Sequence, residues 1–349
     1  MNSLSRSLAC AGFLALTVAA MDAAAEQAAT RTVVDGAGRS VTVPAKIERV
    51  YAAGPPASVI LFTLAPEKLL GWTRAPRPDE QAFLPPRYAA LPELGRLTGR
   101  ANTANVETVL RLRPDLILDV GSTTPTYASL AERVQEQTGL PSVLLDGRFA
   151  NTAALYRTLG DLVAAPARAK ELADYAERTM AEIDRRVASV PPDKRPRVYY
   201  GRGPNGLETG LGGSINIEIL ERVGAVNVAA AAGRGGPTTV SREQVLAWNP
   251  DVILALDTRF PEAAARDPVW QVLKAVREHR IYTAPKLPFG WFDSPPGVNR
   301  LIGMRWLAKV LYPALFPEDL RQTTREFYRL FYHVELSAEQ LDELLGQAQ

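Results

Sequence analysis

The sequence predicts an α/β protein of two similar lobes, each on a mainly parallel sheet, joined by one long α-helix with a ligand cleft between them. Three observations predict it. ETVLRLRPDLIL at 107–118 returns as EQVLAWNPDVIL at 243–254, an offset of 136 residues. RVYAAGP at 49–55 returns in the same order as RVYYGRGP at 197–204, an offset of 148. Between the two copies, residues 151–192 carry helical periodicity, broken at Pro166 and closed by Pro191-Pro192. Two echoes in one order imply two like halves, and 349 residues leave room for both to bury a core.

Residues 1–25 stand apart. Arg6, an apolar stretch from Leu8 to Ala20 and Ala23-Ala24-Ala25 have the anatomy of a secretory signal peptide, and the apolar run is too short to span a bilayer. The expected product is a cleaved periplasmic protein. The sole cysteine, Cys10, has only nine residues before it and most of the apolar run after it, which argues against a lipid anchor there. Its removal would leave no thiol for a disulfide, a metal or a nucleophile.

The N-terminal lobe, 26–150, opens with alternation from Thr32 to Val43 around Gly36 and Gly38, a β-hairpin pattern. A strand at Arg49-Val50-Tyr51, a helix at about 57–65 and a short strand ending at Gly71-Trp72 follow, then a proline-rich charged loop over 73–87. Each repeated unit begins at an N-cap, Asn105 or Ser241, with Glu107 or Glu243 in the first turn. Ser241 with Gln244 makes a capping box. Each helix ends before a proline (Pro114, Pro250), and Asp-Leu-Ile-Leu or Asp-Val-Ile-Leu then reads as a strand buried on both faces of a parallel sheet. The linking region, 151–192, includes a helix over 166–190, about 36 Å at 1.5 Å per residue. One helical strut argues against a wide-swinging hinge. The C-terminal lobe, 193–349, closes with a helix from Ser294-Pro295-Pro296 to about Tyr312, another over 318–333, and a short one capped by Ser337 and Gln340.

Composition excludes several functions. A net charge of +2 does not suit nucleic acid or an anionic membrane surface. Gly201, Gly203 and Gly206 fit G-x-G-x-x-G, but the segment after them cannot open a helix, so the dinucleotide fingerprint fails its context. The only histidines, His279 and His333, sit far apart near helix ends, and no H-E-x-x-H, cysteine pair or G-x-S-x-G is present. Neither a resident metal, a cofactor nor a catalytic residue is expected.

What remains is a set of arginines and aromatics on loops after strands, where open α/β sheets bind ligands. The N-terminal lobe offers Tyr51, Trp72, Arg74, Arg96, Tyr127, Arg148 and Phe149; the C-terminal lobe offers Arg202, Arg234, Arg259, Phe260, Phe289, Trp291 and Phe292. Guanidinium forks suit carboxylate or catecholate-like anions, and aromatic faces suit large flat ligands.

The hairpin, the RVY strand, NVETVLRLRPDLIL, the long helix, RVYYGRGP, VSREQVLAWNPDVIL and the ending FGWFDSPPGVNRLIGMRWLAKVLYP resemble, in that order, the periplasmic substrate-binding proteins of iron-siderophore, haem and cobalamin ABC importers. The resemblance implies a monomeric, non-enzymatic receptor that passes a ligand, by its arginines an anionic and ferric metal chelate, to a permease dimer. It also implies that Glu107 and Glu243, one per lobe, pair with permease arginines; the bland reading is that each complements its helix dipole. Haem or a corrinoid is the alternative cargo, and a secreted α/β enzyme using the 201–213 loop is the alternative of another class.

Overall fold

The computed structural model describes residues 29–98 and 103–346. The signal-peptide reading of 1–25 and the question of Cys10 lie outside them. Strands β1 (Thr30–Val34) and β2 (Ser40–Pro44) form the expected antiparallel hairpin. In the first lobe β3 (Val50–Ala52), β4 (Leu116–Gly121) and β5 (Ser142–Asp146) make a parallel sheet in the order β3-β4-β5. The second lobe contains β6 (Arg197–Gly201), β7 (Glu208–Gly210), β8 (Val226–Asn227), β9 (Pro237–Thr239), β10 (Val252–Ala255) and β11 (Ile281–Thr283). Its parallel sheet runs β11-β10-β6-β8, and β7 pairs antiparallel with β9 as a separate ribbon.

The two sequence echoes turn out to be the two sides of one joint. Val50 and Tyr51 pair with Leu116 and Ile117, as Val198 and Tyr199 pair with Val252 and Ile253. In each lobe the repeated aspartate then pins the arginine that starts the neighbouring strand. Asp115 accepts from the Arg49 amide at 2.8 Å, and Asp251 from the Arg197 amide at 3.1 Å. Each arginine in turn donates to the end of the repeated helix, Arg49 to Leu112 O at 2.6 Å and Arg197 to Trp248 O at 2.7 Å. Helix end, strand start and the next strand are thereby fastened by side chains as well as by the ladder. Burial of every residue of β3 and β10 on both faces supplies the apolar drive.

Between the lobes, helix Thr152–Leu162 packs along helix Pro166–Val187. The latter has 22 residues, about 33 Å at 1.5 Å each, and presents Leu172, Ala176, Met180 and Ile183 to the core. It stops at Val187, short of the expected 190.

Four expectations need correction. Gly71-Trp72 is no strand; single bridges, Val50 to Leu69 and Trp72 to Glu93, tie that stretch to its neighbours. The helix expected from Ser294 starts only at Arg300 and runs to Leu311. Two consecutive prolines cannot donate and Gly297 follows them, so the chain stays irregular, held by the Asn299 amide donating to Pro295 O at 3.0 Å and to Gly290 O. The helix expected over 318–333 is α-helical over Leu320–Phe327 and widens into a π turn over Tyr328–Tyr332. Finally, the stretch 193–349 does not stay with the second lobe. Tyr332 packs on Phe62, Tyr328 on Phe83, and Gln340 donates to Ala82 O at 2.7 Å, so the last segments cover the first lobe.

Helix Arg300–Leu311 lies against the irregular segment so closely that a Cβ on Gly303 would stand 1.7 Å from Trp291 O. Only glycine admits that approach.

Candidate functional site

Two adjoining cavities of about 760 and 750 Å³ open between the lobes. Pro55, Arg202, Asn216, Pro295 and Pro296 line both, so they form the neck that joins them.

The first cavity is cationic. The first lobe contributes Trp72, Arg74, Arg77, Glu80 and Arg96; the second contributes Arg202, Asp257, Lys286, Phe289 and Asp293. Most of these charges arrive with a partner. The buried Glu80 takes Arg74 Nη2 at 2.8 Å and lies 3.0 Å from Arg77. Asp257 takes Arg259 Nη2 at 2.7 Å, and that guanidinium is the main cause holding its carboxyl down at about 2. Asp293 lies 3.0 Å from Arg202 Nε. Two cations remain, Arg96 from the first lobe and Lys286 from the second; among the described residues neither forms an ion pair with a carboxylate. Partial burial pulls the Lys286 ammonium below its ordinary value, against the attraction of Asp257.

An aromatic shelf forms one side. Trp72 and Phe289 stand 5.8 Å apart between ring centres, backed by Phe62 and Tyr332. Trp72 Nε1 donates to Tyr88 O at 2.8 Å, which fixes the indole and leaves part of the ring to the cavity.

The second cavity sets hydroxyls and backbone beside a few charges: Asp119, Ser122, Thr124, Tyr127 and Arg148 from one lobe face Arg202, Ser214, Asn216, Glu218 and Gly235 from the other. Asp119 lies within the buried run of β4, and burial pushes its carboxyl up, with the Thr98 hydroxyl and the Val120 amide opposing. Behind this cavity the lobes are fastened. Arg300, 1% exposed, donates to Glu218 Oε2 at 2.7 Å and Ile215 O at 2.9 Å in the second lobe, and to Gly147 O at 3.3 Å in the first. Its guanidinium also stacks over Phe149 at 5.0 Å, and Glu218 accepts from the Phe149 amide at 3.1 Å.

Of the residues expected to touch ligand, Trp72, Arg74, Arg96, Arg202 and Phe289 line the first cavity and Tyr127, Arg148 and Arg202 the second. The others do not reach either. Tyr51 is in the core, its hydroxyl donating to Leu94 O and Gly95 O at 2.9 and 3.0 Å, with its pKa pushed up to about 12 by burial. Tyr199 holds Gly206 O the same way in the second lobe. Trp291 and Phe292 are fully buried behind the cleft, against Tyr328 and Tyr200. Phe149 lies under Arg300, and Phe260 fills the core against Trp270 and Gly206. Arg259 is exposed and bound to Asp257, and Arg234 is exposed beside Gly213 at the rim. Arg77, Glu80, Asp119, Asn216, Lys286 and Asp293 were not expected; no motif marks them, because each comes from a loop or strand end that only the fold brings to the cleft.

Glu107 and Glu243 lie where expected. Asn105 Oδ1 accepts from the Glu107 amide at 2.9 Å, the Ser241 and Gln244 capping box is formed, and both glutamates are exposed in the first turn of their helices. His279 and His333 both sit at helix ends with φ of 55° and 59°. Among the described residues no three His, Cys, Asp or Glu side chains gather to hold a metal ion, and no helix is long and apolar enough to cross a membrane.

Residues 78–287 match the periplasmic binding protein family. The chain belongs to that family. It is similar to the molybdate-binding protein MolA of Haemophilus influenzae, 29% identical across 87% of this chain and 91% of MolA. It is similar also to the high-affinity heme uptake system protein IsdE of Staphylococcus aureus, 26% identical across 61% of this chain and 73% of IsdE. Among solved structures, an ABC transporter solute binding protein from Sulfurospirillum deleyianum superimposes with a TM-score of 0.81 at 30% identity, covering 90% of this chain and 99% of that one. These names denote solute-binding components rather than enzymes, and this periplasmic binding protein shares their two-lobed architecture.

Proposed function

We propose that this periplasmic binding protein is the receptor of an ABC importer and captures an anionic metal chelate, of the iron(III)-siderophore kind, in the cleft between its lobes. The observation that carries the reading is the charge left over in the first cavity. Among the described residues Arg96 and Lys286, one per lobe, form no ion pair with a carboxylate, so an anion between them would be attracted by both walls. The cavity volume of about 760 Å³ fits a chelate with an organic shell, within the usual ~300–1,000 Å³ of small-molecule sites. The shelf of Trp72 and Phe289 offers that shell an aromatic surface. A metal arriving already chelated needs no protein ligand set.

A second reading, a bare oxyanion such as molybdate, is favoured by the similarity to MolA. Both readings use the same cations. Titration of Trp72 fluorescence separates them: saturable quenching by ferric tris-catecholate, lost in Trp72→Phe, supports the chelate. Binding of molybdate alone would favour the oxyanion, and binding of haem alone would overturn both. Trp72 lines the cavity, whereas Trp291 lines neither.

Glu107 and Glu243 are the contacts offered to the permease. Their exposure at matched positions supports the role, and the cleft residues lie on other loops, so docking and ligand reading use different surfaces.

A further inference from the structure

At the neck between the two cavities the guanidinium of Arg202 is gripped from behind. The carboxylate of Asp293, whose side chain has no solvent exposure, lies 3.0 Å from Arg202 Nε. That carboxylate is itself held: the Tyr200 hydroxyl donates to Oδ2 at 3.0 Å and the Asn216 amide donates to Oδ1. Asn216 is fixed in turn by Ser214, whose hydroxyl donates to Asn216 Oδ1 at 3.2 Å. The contact with Asp293 is an ion pair and leaves donors over: Arg202 Nε and Nη1 are both buried with no hydrogen-bond partner among the described residues, and Arg202 lines both cavities. A buried donor without an acceptor is destabilising, so something outside the chain is the natural acceptor.

From this geometry we infer that Asp293 is a positioning residue, which aims Arg202 at a ligand oxygen placed at the neck. The inference rests on the anionic-ligand reading and deepens it. Because Asp293 already balances the charge of Arg202, the neck recognises an oxygen acceptor by direction, while the unbalanced Arg96 and Lys286 supply net attraction. The oxygen class that fits is one borne on the ligand's anionic core, a catecholate, carboxylate or tetrahedral oxyanion oxygen. The sequence hid the arrangement: Asp293 ends the aromatic run FGWFD, and Arg202 sits 91 positions earlier in a glycine-rich loop.

A double-mutant cycle tests it. Affinities of wild type, Asp293→Asn, Arg202→Gln and the double variant are measured by calorimetry with molybdate and with ferric tris-catecholate as probes, alongside thermal melts. If Asp293 acts through Arg202, Asp293→Asn weakens the bound probe about tenfold in the Arg202 background and has little effect once Arg202 is glutamine. A merely structural role would give the same loss in both backgrounds, and tighter binding by Asp293→Asn would make the carboxylate a brake; either overturns the inference. Should Asp293→Asn fail to fold, Tyr200→Phe removes one of the carboxylate's donors and is expected to cost two- to fivefold, again only with Arg202 present. No effect of Tyr200→Phe in the Arg202 background would then overturn it. Wild-type protein that binds neither probe overturns the anionic-ligand reading itself, whereas binding with an additive cycle removes only the role of Asp293.

Discussion

Replacing Glu218 by glutamine should loosen the joint between the lobes, and the structure sets the size of the effect. Among the described residues Glu218 is the one carboxylate in an ion pair with Arg300, which is 1% exposed and also donates to Ile215 O, Gly297 O and Gly147 O. Removing one partner of a buried pair costs about 3–5 kcal/mol, because the other charge is left uncompensated. The Glu218 side chain is itself 25% exposed, so the lower end, about 3 kcal/mol, applies. For a chain of 349 residues, at about 2.1 cal/mol/K of unfolding entropy per residue, that corresponds to a fall in Tm of about 4–5 °C. Burial already pulls the Arg300 guanidinium below its ordinary value, with Glu218 opposing, so the loss falls on the charged form. Thermal melts followed by circular dichroism measure it. The pair should be coupled: Glu218→Gln with Arg300→Met leaves no charge buried and should recover a good part of the loss. A single Glu218→Gln variant within about 0.5 kcal/mol of wild type, the size of an ordinary surface change, would refute the reasoning.

Three further outcomes are expected. Gly303→Ala places a methyl against Trp291 O and should cost about 1–3 kcal/mol or more by overpacking, visible as a lower urea midpoint. Asp119→Asn should stabilise the protein at neutral pH. Burial raises the folded-state pKa of Asp119, so the penalty on the carboxylate is absent below about pH 4, where both states are protonated, and present once pH exceeds the folded value; the advantage of the amide over wild type should therefore vanish as pH falls toward 4. Glu107→Ala with Glu243→Ala should abolish uptake in cells while leaving ligand affinity of the purified protein unchanged, and reduced affinity would remove the docking role.

The frame was legible because its signals are local. Buried apolar runs after Pro-Asp, N-caps at Asn105 and Ser241, and the capping box at Ser337 each depend on a few neighbouring residues, and each formed as expected. The cleft was half legible. Arginines on post-strand loops were the right class, yet the direction of a side chain is a tertiary property. Phe289 faces the cavity while Trp291 and Phe292, two and three positions on, face the core, because Asn299 and the close approach of Gly303 turn the backbone between them. Tyr51 and Tyr199 could not be told from ligand aromatics by type; the parallel hydroxyl bonds that hold a loop in each lobe exist only in the fold.

The return of the C-terminal segment to the first lobe also sets an order of events during synthesis. Strands β3, β4 and β5 leave the ribosome early, but Phe62 and Phe83 acquire Tyr332 and Tyr328 as neighbours only when nearly the whole chain has emerged. Until then that apolar face of the first lobe lacks its native cover. The last residues thus act as a timer on the first ones, since the cover of the first lobe is completed only when the chain is nearly whole.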